Sequence, residues 1–122
     1  MISTLLVLAS LMGAAGVVLA AGAAHAAPGA GLDSAAYLLL FHAVAVLAAA
    51  ALVHAELMWT PVALAGMAGF VLGGTLFAGD VSMRAFAGHR LFPFAAPAGG
   101  TVLILSWLVL AVAAVVMILR GR

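Results

Sequence analysis

The chain has 122 residues, of which 69% are hydrophobic and 6% charged, whereas a soluble domain of this size is about 25% charged. Four arginines and three acids cannot cover a water-exposed surface, so hydrocarbon must surround most of the chain. The net charge of +1, with no lysine and no basic run, excludes a nucleic-acid partner held by electrostatics. The absence of cysteine removes disulfides, thiolate metal sites and cysteine nucleophiles.

The first apolar run extends from Ile2 to about Ala24 and is close to the roughly 20 residues a helix needs to cross a bilayer. Ala24-His25-Ala26 has the look of a small-residue cleavage site. However, Met1 to Thr4 carries no basic residue, and the run exceeds the about 7–15 residues of a signal core, so a membrane-spanning helix is expected. Ala9 and Gly13, and then Gly16, Ala20 and Ala24, recur every four residues, a spacing that lets helix backbones approach closely.

The second run goes from Ala35 to about Val53, with Asp33 and Ser34 as candidate N-caps. It carries His42 about two turns, or roughly 10 Å, inside the helix. A neutral imidazole there needs partners for both nitrogens. In a structural role, a neighbouring carbonyl or a hydroxyl such as Thr75 would supply them; in a functional role, the ring would relay a proton or ligate a cofactor. His54 and Glu56 mark the following rim, and Trp59 sits where an interfacial aromatic anchor is expected.

Thr60 as N-cap and Pro61 at the first helical position open the third run, from Val62 into the eighties. Ala65, Gly69 and Gly73 fall on one line there, with Gly66 and Gly74 beside it. The fourth run, Ala98 to Leu119, begins after Pro97 and ends at Arg120 and Arg122, which suit the negative end of its dipole. Trp107 falls at mid-membrane, as expected for a packed aromatic. Helices are the only spans that satisfy their own backbone in lipid, so the expected fold is an all-α bundle of four transmembrane helices forming one domain.

Several stretches together resemble the YgdD-like family of small membrane proteins, which includes transmembrane protein 256 (domain of unknown function 423). They are Gly22-Ala23-Ala24-His25, Tyr37 to His42-Ala43, Phe77-Ala78-Gly79-Asp80, Ala96-Pro97-Ala98-Gly99-Gly100 and Ser106-Trp107. The resemblance implies a four-helix inner-membrane protein without an established activity and supplies no catalytic residue. It also implies that the third helix continues to about Ala87, with Gly88 as its stop. The family's usual Phe-Ser-Gly-Ser reads Phe77-Ala78-Gly79-Asp80 here, and Arg84 stands where an apolar residue is typical. On that continuous helix Asp80 and Arg84 are i, i+4 neighbours and form a candidate ion pair.

Four crossings place the loops 25–34 and 88–97 on one side, and both termini with the loop 54–61 on the other. His25, His42, Asp80, Arg84 and His89 therefore share a leaflet as a candidate polar cluster, with Leu91, Phe92, Pro93 and Phe94 as a candidate apolar lid. An ionisable group inside a membrane is a functional candidate by default. The histidine and acid spacing matches no ligand motif, and neither a metal nor a cofactor is expected.

No nucleophile–base pair or phosphate loop is present, so an enzyme is not expected. The leading expectation is a structural or accessory membrane component, in contact with the bilayer and with a larger complex or further copies of itself. The alternatives are a small transporter or channel, and a lipid or small-molecule binder at His42, Asp80 and Arg84. Arginine in place of lysine among abundant Ala, Gly and Val points to a GC-rich bacterial genome, and the resemblance implies the inner membrane. The nearly balanced arginines lean towards cytoplasmic termini.

Overall fold

The computed structural model describes residues 1–121; the charge expected at Arg122 lies outside them. Four helices follow one another, α1 (Ile2–His25), α2 (Leu32–His54), α3 (Thr60–Ala87) and α4 (Ala95–Leu119), and all four are long and apolar enough to cross a membrane. The protein is an all-α, multi-pass membrane protein. At 1.5 Å per residue the helices run from about 35 to about 42 Å, against about 30 Å of hydrocarbon.

Two helices begin three residues before the apolar runs expected for them. α2 starts at Leu32 behind Gly31, whose φ of 82° is left-handed. Asp33 and Ser34 therefore lie inside its first turn and do not cap it, and the Ser34 hydroxyl donates back to the Gly31 carbonyl at 2.8 Å. Burial of Leu32 explains the early start, because the residue belongs to the core and is carried there by the helix. α4 likewise starts at Ala95, with Ala95 and Ala96 buried. Pro97 is its third residue, tolerated because first-turn N–H groups lack helical acceptors.

The start of α3 is also shifted. Trp59 precedes the helix, Thr60 is its first residue and Pro61 its second. The Trp59 backbone N–H donates to the Ala113 carbonyl of α4 at 3.0 Å, and the Arg120 guanidinium lies 4.3 Å from the indole centroid. Gly88 ends α3 with φ 76°, a conformation that costs other residues a steric penalty.

The heaviest packing joins α3 to α4, α1 to α2 and α2 to α3, with a lighter contact between α1 and α3. Buried apolar side chains fall into two clusters. One, around Phe70, Met67 and Val46, draws on all four helices; the other, around Leu32, Leu39 and Val81, joins α1, α2 and α3.

The small residues act between these helices. A Cβ on Gly73 would stand 2.8 Å from the Gly99 carbonyl, and one on Gly99 would stand 2.7 Å from the Gly73 carbonyl, so α3 and α4 meet backbone to backbone. Gly69 faces the Ser106 side chain, and Gly16 leaves room for Leu40 and the Ala36 carbonyl. Gly13 differs: a Cβ there would meet Ala43 at an ordinary 3.8 Å. Gly16, Gly69, Gly73 and Gly99 are thus occupied by this chain's own helices.

Candidate functional site

His42 is 94% buried at the middle of α2, ten residues beyond Leu32, or about 15 Å along the axis. This is deeper than its expected place in the outer part of the helix, because α2 begins earlier than its polar residues signal. Its Nε2 accepts the indole N–H of Trp107 at 3.3 Å. Indole is only a donor, so Nε2 is the unprotonated nitrogen and Nδ1 carries the hydrogen, which it donates to the Leu38 carbonyl at 2.7 Å. Both nitrogens are satisfied without Thr75, the hydroxyl first considered.

Phe70 of α3 completes this site. Its fully buried ring lies 5.1 Å from the imidazole centroid and 4.9 Å from that of Trp107, edge-on to the indole. Trp107 is not enclosed: half of its surface faces outward while its N–H points in. The sequence holds a usable signal for this pair. His42 and Trp107 stand ten and twelve residues from helix starts on the same side of the membrane, so their depths agree to about 3 Å.

Asp80 forms a second polar site, seven residues before the end of α3, with no surface exposed. Its Oδ1 accepts the backbone N–H of Leu91 at 2.9 Å, tying the loop 88–94 to the helix. Its Oδ2 stands 3.5 Å from Arg84 Nε and makes no hydrogen bond. The Arg84 side chain is 40% exposed, whereas that of Asp80 is fully buried. Sequence reasoning did not anticipate Leu91 as the partner, because a backbone donor has no residue-type signature.

The five candidates do not converge. Of His25, His42, Asp80, Arg84 and His89, only Asp80 and Arg84 meet through polar atoms. His25 is exposed at the end of α1; His89 is exposed, with Nδ1 3.0 Å from the Arg90 carbonyl. Among the described residues, no three histidine or acid side chains come close enough to share a metal ion. Leu91, Phe92 and Phe94 are exposed and do not close over a pocket, because the Asp80 bond anchors the loop by its backbone and leaves these side chains outside.

Two grooves mark the apolar surface of the described residues. One, of about 590 Å³, runs between α1 and α3, with Leu8, Leu11 and Val18 on one wall and Val71, Thr75 and Ser82 on the other. The second, of about 540 Å³, lies between α2 and α4 and is lined by Phe41, His42, Val44, Ala45, Ala48 and Trp107.

Comparison with protein-family models, with curated proteins and with solved structures finds no match.

Proposed function

We propose that this protein is a structural or accessory component of a bacterial inner membrane that works by packing laterally against other membrane-spanning helices. On this reading it is not an enzyme and carries neither metal nor cofactor. The carrying observation is where its buried ionisable groups spend their hydrogen bonds: His42 on the Leu38 carbonyl and Trp107, and Asp80 on the Leu91 N–H. Intramembrane ionisable residues that serve transport face a cavity or one another; His42 borders the groove between α2 and α4 and Asp80 lies near Arg84, but the hydrogen bonds of both hold separate pieces of the fold together.

The bacterial setting rests on the arginine-for-lysine composition. Membership of the YgdD-like family is part of the proposal and rests on the motifs ending in His25, Ala43, Asp80, Gly100 and Trp107.

Flux from liposomes tests the reading. The purified protein is expected to add no proton, cation or small-solute flux to the leak of protein-free vesicles, while cross-linking in membranes gives a species of one defined mass. Saturable flux that His42→Leu abolishes, in a variant that still folds, overturns it.

A further inference from the structure

The groove between α1 and α3 is a feature of the surface that the packing leaves open. Its α1 wall runs from Leu8 to Leu19 and its α3 wall from Val71 to Ser82. Each wall covers eleven residue steps, about 16 Å, so the groove follows the helix axes for three turns.

Its only two hydroxyls, Thr75 and Ser82, are seven residues apart on α3, or two turns. Neither makes a hydrogen bond among the described residues, whereas Ser10, Thr101 and Ser106 each donate to the carbonyl four residues back at 2.8 Å. An occupant should therefore offer acceptors. Thr75 is the sixteenth of the 28 residues of α3, close to mid-membrane. An acyl chain has no acceptor at that depth, since its ester groups lie at the interface. A helix does, because its carbonyls accept from serine and threonine across helix interfaces. The aqueous end offers no headgroup site either: the Phe86 ring lies against Gly22 there, 3.9 Å from where a Cβ would stand.

The helix that fits is on the same face. Val7, Leu11, Ala14, Val18 and Ala21 are all exposed on α1, with alternating steps of four and three residues. This ridge borders the groove, and Leu11 and Val18 belong to both. Ridge and groove on one helix are self-complementary under a two-fold axis, which inserts each ridge into the other copy's groove and closes the contact. The exposed line continues from Thr4 to His25, about 31 Å. With two helix diameters of width, about 20 Å, each copy contributes roughly 600 Å². A pair would bury about 1,200 Å², the lower end of specific interfaces.

We propose that two copies of this chain, in the same orientation, dimerise by setting the α1 ridge of each into the α1/α3 groove of the other, with Thr75 and Ser82 donating to the inserted helix. This specifies the partner left open by the lateral-packing reading on which it rests.

The natural absence of cysteine makes the test direct. Full-length Leu11→Cys and Val18→Cys proteins, in membranes at low protein density, are expected to form disulfide-linked dimers on oxidation, whereas Ile104→Cys, equally exposed on α4, is not. In the cysteine-free protein, Thr75→Val and Ser82→Ala should each weaken dimerisation in lipid about threefold. Equal cross-linking at position 104, or a wild-type protein that stays monomeric in nanodiscs, overturns the dimer. If that monomer also conducts no solute and binds a foreign helix at Leu11, lateral packing survives and only self-association fails.

Discussion

The Trp107 indole N–H meets His42 Nε2 at 3.3 Å across the interface of two helices that are 65 residues apart in the chain at this point. The bond is long beside the usual 2.9–3.0 Å, but no water is at hand in hydrocarbon to replace it. Trp107→Phe removes the donor and leaves a buried acceptor unpaired, and His42→Leu does the reverse. Each single change is expected to destabilise the protein by about 1–3 kcal/mol. The double variant should cost less than the sum, with a coupling of about 0.6–1.7 kcal/mol. Reversible unfolding in mixed micelles across all four variants measures it, and strict additivity would contradict the pairing.

Gly99 and Gly100 are adjacent in α4 but should respond oppositely to one methyl group. At Gly99 the new Cβ would come within 2.7 Å of both the Gly73 carbonyl and the Phe77 nitrogen, backbone atoms that cannot turn aside. Gly99→Ala should therefore cost about 1–3 kcal/mol, the usual penalty for overpacking. A Cβ at Gly100 meets nothing within 4 Å, and Gly100→Ala should be neutral or stabilising by up to about 1 kcal/mol. Thermal unfolding of the two variants in one detergent gives the comparison.

Asp80→Ala leaves the Leu91 N–H without its acceptor and releases the loop 88–94. Amide hydrogen exchange at Leu91 should become about tenfold faster, corresponding to a hydrogen bond of about 1.4 kcal/mol. Asp80→Asn keeps an oxygen at that position and should change the rate less than threefold. Equal acceleration in both variants would assign the effect to the Arg84 pair.

Arg120 and Trp59 secure the opposite end of α3 against α4. Arg120→Ala removes the cation from the indole face and should cost about 0.5–1 kcal/mol, as for exposed pairs of this kind. In a Trp107→Phe background Trp59 is the single tryptophan, and its emission reports the loss directly.

The four spans were legible because solvation by hydrocarbon leaves few alternatives for long apolar runs, whereas the end of α3 at Gly88 was implied only by the resemblance. The starts of α2 and α4 were less legible. Asp33, Ser34 and Pro97 are local signals, whereas the helices are drawn back by the burial of Leu32, Ala95 and Ala96, which only the assembled bundle determines. The late start assigned to α2 made His42 seem shallow and grouped it with Asp80. Its partner was signalled only by a matching depth, since periodicity along one helix does not show which residue of another will face it. Thr75, the hydroxyl offered for His42, instead lines the groove towards α1.

The contact pattern also bears on how the protein is made. Its heaviest contacts join α1 to α2 and α3 to α4, segments consecutive in the chain. The first hairpin can therefore settle in the bilayer while the ribosome is still producing the second, and little has to wait for the C-terminus. The backbone-to-backbone seam at Gly73 and Gly99 lies within the second hairpin, whose two arms emerge one after the other. Biogenesis of this bundle thus calls for no rearrangement between distant segments, only for the second hairpin to dock on the first along α2 and α3.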